Sequence, residues 1–333
     1  MTSSTSLPLA DPELAELLSG RLALVEGRLR DAVTHADALA DVASRHLVNA
    51  GGKRTRPLLT LLASELGDGS RREVLDAAIV VELTHLATLY HDDVMDSAPL
   101  RRGAPSAHEV WGNSVAILTG DLLFARASAT VAGLGPEAVR IQAATFERLC
   151  LGQLHETVGP GPDADPVEHY LQVLSDKTGS LIATSARFGA MFAGCRPSVV
   201  RTVTAYGEKV GVAFQLADDI IDITSPSEVT GKTTGTDLRE GVLTLPVLML
   251  RRMAEDGDAS AARVLDLVDA DLTSDDALAA AVEAICAHEA VERSWAVAQE
   301  WVDDALRALE PLPASAARSA LEAFGRDMVH RRS

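Results

Sequence analysis

Apolar residues recur at helical spacing along almost the whole chain, and this pattern predicts an all-α protein. Asp11 followed by Pro12 predicts the first helix start, because aspartate caps helices and proline suits their first position. Runs that alternate in the manner of strands are almost absent. We expect a bundle of roughly a dozen helices around a central cavity, with a disordered tail at 1–10 and one domain at 11–333.

Two of the predicted helices end in closely spaced carboxylates. The first, starting near Arg71, ends in Asp92-Asp93-Val94-Met95-Asp96, and a second ends in Asp218-Asp219-Ile220-Ile221-Asp222. On a helix, the first and last aspartates of such a motif lie roughly 6 Å apart along one face. Like charges this close repel unless a cation joins them, and hard oxygen ligands favour Mg²⁺. One copy alone is typical of a solvated helix end, but two copies indicate sites that hold divalent ions between them.

Basic residues accompany these acidic motifs. The segment Gly51-Gly52-Lys53-Arg54-Thr55-Arg56-Pro57 places three cations beside a glycine turn and a helix start, which would suit a diphosphate or form an ordinary surface cluster. His85 lies about two helical turns before the first motif. Its side chain would either face a ligand or be a hydrogen-bonded histidine of the core. The polar segment 225–241, which contains Lys232, predicts a lid over a charged ligand or a surface loop.

Composition narrows the partners and the compartment. The formal charge of −18 argues against nucleic acid and anionic membrane surfaces as partners. Three cysteines without paired spacing predict buried, reduced thiols. The sequence contains no run of about 18 apolar residues, so we expect no integral membrane segment. We therefore expect a cytoplasmic protein.

Taken in order, the motifs resemble those of the trans-isoprenyl diphosphate synthases, the polyprenyl synthetase family. The resemblance covers the chain from about residue 15 onward. It rests on the basic segment at 51–57, the first aspartate motif with Arg101-Arg102-Gly103, Lys177-Thr178, Phe214-Gln215, the second aspartate motif and Gly231-Lys232. It implies an all-α fold of the isoprenoid synthase type, a central catalytic cavity and a homodimer.

The resemblance also implies a role for each matched residue. Three Mg²⁺ ions would be held by Asp92, Asp93, Asp96, Asp218, Asp219 and Asp222. The allylic diphosphate would contact Arg101, Lys177, Thr178, Gln215 and Lys232, and isopentenyl diphosphate would contact Lys53, Arg54, His85 and Arg102. Among these, the catalytic set would be Asp92, Asp96, Arg101, Lys177, Gln215, Asp218 and Lys232.

The implied reaction begins when the allylic diphosphate ionises. Isopentenyl diphosphate then adds five carbons to the cation, and the departing diphosphate is the implied base, since no acid/base pair is visible in the sequence. Metal ions and cations would neutralise the leaving group, and apolar helices would keep water from the cation. Val242 departs from the family pattern, in which many members have lysine.

Two small residues one turn before the first motif, Ala87 and Thr88, predict an open cavity for the growing chain. We expect a product of about seven to nine isoprene units, as for a quinone side chain such as that of menaquinone. Leu118, Leu122 and Leu123 on a neighbouring helix could block the cavity, which would make geranylgeranyl diphosphate the product.

Three other classes of protein fit less well. A class I terpene cyclase would need a glutamate where the chain has Pro226, and a di-iron carboxylate bundle would need a second copy of the Glu82/His85 pair. A non-catalytic subunit of a heteromeric synthase would be expected to have lost aspartates, whereas all six are present.

Overall fold

The computed structural model describes residues 11–225 and 234–329, and it confirms the all-α prediction. The α-helices, in chain order, are α1 (Pro12–Ala32), α2 (Ala38–Asn49), α3 (Thr55–Ser64), α4 (Arg72–Met95), α5 (Ala107–Trp111), α6 (Asn113–Ala132), α7 (Pro136–Val158), α8 (Pro166–Leu174), α9 (Ser180–Phe192), α10 (Pro197–Thr224), α11 (Thr236–Arg239), α12 (Leu245–Glu255), α13 (Ala259–Val268), α14 (Asp275–Cys286), α15 (Ala290–Leu309) and α16 (Ala316–Val329). The predicted tail at 1–10 and Lys232 lie outside the described residues.

Local sequence signals explain several helix starts. The Asp11 side chain accepts hydrogen bonds from the backbone N–H groups of Glu13 and Leu14, at 3.0 and 3.2 Å, with Pro12 in the first turn. Asp165 caps α8 in the same way, again with a proline in the first turn. These caps satisfy N–H groups that have no partner within a helix, so the short-range prediction of α1 is confirmed.

The structure corrects two details of the predicted helix pattern. A short antiparallel hairpin, β1 (Leu100–Arg101) and β2 (Ala104–Pro105), follows α4. The prediction of a continuous helix over Val167–Ala193 was wrong, because a π-helical turn at Ser175–Gly179 separates α8 from α9. Propensity could not predict this turn, since long-range contacts of Ser175 and Asp176 support it.

The chain divides into two compact units, each built from separate segments. Unit 1 comprises Met1–Glu147, Leu181–Gly207 and Leu309–Ala323, and unit 2 comprises Arg148–Ser180, Glu208–Ala308 and Phe324–Ser333. The single domain over 11–333 and its central cavity stay predictions.

Each unit has its own apolar core. In unit 1, α4 packs against α1, α3 and α6, and Leu83 and Leu86 on α4 are fully buried. In unit 2, the core gathers apolar residues of α8 and of α10 to α15, including Leu216, Ile220 and Leu250. The aspartate motifs therefore lie on helices that packing fixes along most of their length.

The structure bears on two expectations drawn from composition, one about the cysteines and one about membrane segments. The cysteines are free, but Cys150 and Cys286 are exposed, so the prediction of buried thiols was wrong for these two. By length and composition α4 and α6 could each span a membrane, although 67% of the most apolar stretch of α4 is buried inside the protein. The corresponding share for α6 is 33%, so this helix exposes an apolar surface.

Candidate active site

The first aspartate motif occupies the last turn of α4. Asp92 is half-buried, Asp93 is fully buried and Asp96, at the C-cap, is exposed. The Asp96 N–H donates to the Asp92 carbonyl at 2.8 Å, so the backbone keeps its helical path to the end of the motif. Asp92 and Asp96 therefore lie nearer solvent than Asp93, which is turned into the protein.

A tight hairpin brings an arginine back to the buried aspartate. Its two-residue loop, Arg102-Gly103, has φ values of 56° and 78°, and positive φ at both positions is characteristic of a type I′ turn. The turn places Arg101 Nε 2.6 Å from Asp93 Oδ1. Burial raises the pKa of Asp93, and the ion pair with Arg101 offsets only part of this rise. The other oxygen, Asp93 Oδ2, is buried without a hydrogen-bond partner.

These side chains fit a hard divalent cation in their chemistry. All three offer oxygen, and the unsatisfied Asp93 Oδ2 is the kind of buried acceptor that a cation would stabilise. Within residues 11–225 and 234–329, no three His, Cys, Asp or Glu side chains lie close enough to enclose an ion by themselves. Mg²⁺ commonly takes one or two carboxylates and completes its coordination with water and substrate phosphate. The motif therefore suits an ion that shares a phosphate ligand.

Arg54, predicted to contact substrate, is instead occupied within the protein. It is buried in the left-handed conformation, with φ of 49°, just before α3. Its guanidinium donates to Glu82 at 2.9 Å, pairs with Glu26 on α1, and donates to the Val48 carbonyl at 3.1 Å. With its donors engaged by α1, α4 and the end of α2, Arg54 is placed to hold the basic loop in shape.

Arg102 also stabilises the basic loop at 51–54 by hydrogen bonds to backbone carbonyls. Its guanidinium donates to the carbonyls of Leu47, at 3.1 Å, and Gly51. A Cβ at Gly52 would lie 2.7 Å from Arg102 Cζ, so only glycine permits this approach. The first aspartate motif and the basic loop are thus joined through the hairpin that carries both Arg101 and Arg102.

Arg56 is a candidate substrate contact that was missing from the predicted set. Its Nε is buried without a hydrogen-bond partner, and burial lowers its pKa to about 10. Burial and the positive charges of Arg56 and Arg102 lower the pKa of His85 well below its usual value, so its ring is neutral at pH 7. Lys53 is exposed beside them. The sequence feature that could have identified Arg56 was its position in the first turn of α3, where a bound anion is favoured.

We expect Gly52→Ala to weaken binding of isopentenyl diphosphate. Gly52 has φ of 136° and no room for a Cβ, so alanine would displace Arg102 and strain the loop. The Michaelis constant for isopentenyl diphosphate should rise about tenfold, which corresponds to about 1.4 kcal/mol. Gly27→Ala is the matched control, because a Cβ there meets nothing within 4 Å. An unchanged constant in Gly52→Ala would contradict this role for the loop.

In unit 2, the second aspartate motif lies near the end of α10. Asp218 and Asp222 are half-buried, whereas Asp219 is buried and accepts hydrogen bonds from the Tyr170 hydroxyl at 2.5 Å and Gln215 Nε2 at 2.8 Å. Burial raises the pKa of Asp219 to about 7. Asp222 Oδ2 accepts from the backbone N–H of Asp237 at 3.3 Å. As in the first motif, the middle aspartate is the buried one, and a neighbouring side chain donates a hydrogen bond to it.

The remaining predicted residues of unit 2 lie close to this motif. Gln215 Oε1 accepts from the Thr178 hydroxyl at 3.1 Å, so its amide links Thr178 to Asp219. Lys177, in the π-helical turn, forms an ion pair with Glu156 of α7. The structure therefore links Thr178, Gln215 and Asp219 by hydrogen bonds, and Lys177 precedes Thr178 in the same π-helical turn. Their metal and substrate roles stay predictions.

The predicted pocket residues lie where α4 and α6 pack tightly. Ala87 is fully buried, Thr88 is half-buried, and a Cβ at Gly120 of α6 would lie 3.1 Å from the Ala87 carbonyl oxygen. Of the residues that could block the cavity, Leu118 is 61% exposed and Leu123 is fully buried. The side chain of Leu118 therefore turns to the surface of this unit.

Comparisons with known proteins agree with the motifs. The family model described as polyprenyl synthetase matches residues 37–285. A nonaprenyl diphosphate synthase of Mycobacterium tuberculosis is 44% identical over 324 residues, 97% of this chain and 96% of that protein. A heptaprenyl diphosphate synthase component 2 of Geobacillus stearothermophilus is 38% identical over 91% of this chain and 93% of that protein. A solved structure of geranylgeranyl pyrophosphate synthase from Corynebacterium glutamicum, complexed with calcium and isoprenyl diphosphate, has a TM-score of 0.85 and 42% identity over 97% of this chain and 98% of that one.

Proposed function

Because the chain belongs to the polyprenyl synthetase family, we propose that it condenses isopentenyl diphosphate with an allylic diphosphate to make a long trans-polyprenyl diphosphate. The observation that carries this proposal is the pairing, within unit 1, of an oxygen-only acidic motif with a cluster of arginines around a neutral histidine. The acidic motif suits a metal-bound diphosphate, and the arginines suit a second, separate diphosphate.

The acidic motifs supply the proposed metal ligands. Of the six aspartates, four are not buried, Asp92, Asp96, Asp218 and Asp222, and the cation would be Mg²⁺, three ions in all. When bound, these ions would neutralise the charge that develops on the leaving diphosphate. The buried Asp93 and Asp219 contribute at least by orienting Arg101 and Gln215, to which they are hydrogen-bonded.

The basic residues divide into two proposed groups. Arg101, Lys177, Thr178, Gln215 and Lys232 would contact the allylic diphosphate, and Lys53, Arg56, His85 and Arg102 would contact isopentenyl diphosphate. We include Arg56 and assign Arg54 to holding the loop, because Arg54 is saturated by Glu26 and Glu82. The neutral His85 can donate one hydrogen bond without adding charge.

Product length rests on the small residues of α4 and on the named relatives. The small side chains of Ala87 and Thr88 are the sequence feature that favours a long product, and two of the relatives are named for heptaprenyl and nonaprenyl products. We propose a product of about seven to nine isoprene units for a quinone side chain, formed in the cytoplasm. Geranylgeranyl diphosphate is the second candidate, favoured by the similarity to the Corynebacterium enzyme.

A product assay tests this function. The purified chain would be incubated with Mg²⁺, labelled isopentenyl diphosphate and, separately, dimethylallyl, geranyl, farnesyl and geranylgeranyl diphosphates. We expect dephosphorylated prenols of about thirty-five carbons or more. A stop at about twenty carbons would support the second candidate instead. Cyclic hydrocarbons would indicate a terpene cyclase, and inactivity without another protein would indicate one component of a heteromeric synthase.

We also propose a homodimer that uses the exposed face of α6. Leu118, Leu122, Ala125, Ala129 and Ala132 recur at alternating spacings of four and three residues, as in a helix–helix seam. Leu118 is 61% exposed. Sedimentation equilibrium should give about twice the chain mass of 35.1 kDa. Leu118→Glu should give monomers, whereas Leu24→Glu, at an exposed leucine on α1, should not. A dimer that survives Leu118→Glu would place the interface elsewhere.

A further inference from the structure

The π-helical turn between α8 and α9 depends on contacts with two other helices. A π-turn holds more residues than an α-helical turn, is rare, and occurs often at functional sites. Here it spans Ser175–Gly179 and carries Lys177 and Thr178, two of the proposed diphosphate contacts. Nothing in the local sequence requires the wider turn, so its support must come from outside the segment.

Arg148 on α7 supplies most of that support. Its Nε donates to Asp176 Oδ1 at 2.6 Å, and its Nη2 donates to Ser175 Oγ at 3.0 Å and to Glu208 Oε1 of α10 at 2.7 Å. Burial lowers the pKa of Arg148, but its hydrogen bonds with Asp176 and Glu208 outweigh this effect and raise it. One guanidinium thus ties the first two residues of the π-turn to α7 and α10.

The carboxylates and the hydroxyl around Arg148 complete the network. Asp176 Oδ2 accepts from Gln172 Nε2 at 2.7 Å, and Ser175 Oγ donates to Glu208 Oε1 at 3.0 Å. The Asp176 side chain is only 11% exposed, so it is screened from solvent and its orientation is fixed. Asp176 immediately precedes Lys177, so holding Asp176 in place restrains the backbone from which the Lys177 side chain projects.

Two glycines let the backbones meet at this point. A Cβ at Gly152, one turn after Arg148 on α7, would lie 2.7 Å from the Lys177 backbone nitrogen. A Cβ at Gly179 would lie 3.2 Å from the Glu208 carbonyl oxygen. The π-turn is therefore packed directly against the backbones of α7 and α10, and a small shift of either helix would move Lys177.

We propose that Arg148 is a positioning residue that sets Lys177 and Thr178 for the allylic diphosphate. This inference rests on the proposed function, in which Lys177 contacts that diphosphate. Arg148 itself is bound to Asp176, Ser175 and Glu208 and acts through the π-turn. Geometry of this kind matters in catalysis, because displacement by about 1 Å can cost about a hundredfold in rate.

A double-mutant cycle between Arg148 and Lys177 tests the proposal. In the otherwise unchanged chain, Arg148→Met should lower kcat/KM for the allylic diphosphate about tenfold to a hundredfold and leave KM for isopentenyl diphosphate unchanged. In a Lys177→Ala background, the further loss caused by Arg148→Met should be clearly smaller than in the unchanged chain, because only Thr178 is then left for Arg148 to position. Equal losses in both backgrounds, or equal changes in KM for both substrates, would overturn the proposal.

Further variants separate positioning from folding and from the proposed function. Asp176→Asn keeps the shape of the side chain and should reproduce the loss, and Arg148→Lys, which keeps the charge but not the planar fork, should rescue it only partly. Arg293→Met breaks an exposed ion pair on α15 and should change neither constant. Normal kinetics in an Asp176→Asn variant that has a normal thermal midpoint would overturn the inference about Arg148 and leave the proposed function standing. Full activity in Lys177→Ala would instead overturn the role of Lys177 on which it rests.

Discussion

Asp92→Ala is expected to abolish turnover while leaving the fold intact. Asp92 is half-buried on the last turn of α4, and the helix is anchored by the buried residues that precede it. Removing a carboxylate that would hold Mg²⁺ at the leaving diphosphate should lower kcat by about a thousandfold or more, or about 4 kcal/mol of transition-state stabilisation. Radiolabel incorporation from isopentenyl diphosphate would measure the loss, and thermal unfolding would check the fold.

Metal titration distinguishes a ligand from a merely structural carboxylate. Activity of the unchanged chain should disappear with a chelator and return with Mg²⁺, and Asp92→Asn should need a higher Mg²⁺ concentration than the unchanged chain because it keeps one oxygen and loses the charge. Asp303→Ala removes an exposed carboxylate on α15 and should alter neither rate nor Mg²⁺ dependence. Retained activity in Asp92→Ala would refute the metal assignment at this position.

The sequence predicted those parts of the structure that depend on short-range patterns. Apolar periodicity and the Asp11 cap gave α1, and the run before Asp92 gave α4 with the motif in its last turn. Both features depend on residues within a few turns of one another. They could therefore be read without knowledge of the tertiary fold.

The details that the sequence did not predict depend on contacts between distant residues. Arg54 looks like a substrate cation in the basic motif, but Glu26 and Glu82, 28 residues away on either side, neutralise it. The π-turn at Ser175 follows from Arg148 and Glu208, and the partners of Asp219 include Tyr170, 49 residues away. Charge and spacing within a motif cannot reveal which of its members are engaged by the rest of the protein.

Ala87→Phe should convert a long-chain enzyme into a short-chain one. Ala87 lies five residues before Asp92, about 7.5 Å along the helix axis, where a growing chain would pass from the diphosphate into the cavity. A phenyl ring at this height would fill the space that the fourth or a later isoprene unit needs. We expect products of roughly fifteen to twenty carbons, because a pocket excludes a substrate group for which it has no room. Chromatography of the dephosphorylated prenols would measure the distribution.

Two further variants distinguish a filled pocket from a loss of folding in Ala87→Phe. Ala87 is fully buried, so phenylalanine there could cost about 1–3 kcal/mol by overpacking. Thr88→Phe acts from a half-buried position one residue closer to Asp92 and should also shorten the product. Ala262→Phe enlarges an exposed alanine on α13 and should leave product length unchanged. Long products from folded Ala87→Phe and Thr88→Phe would mean that this face of α4 does not limit the chain. The aromatic pair Phe124 and Phe146, whose ring centroids are 4.2 Å apart, would then be the next candidate for the limit.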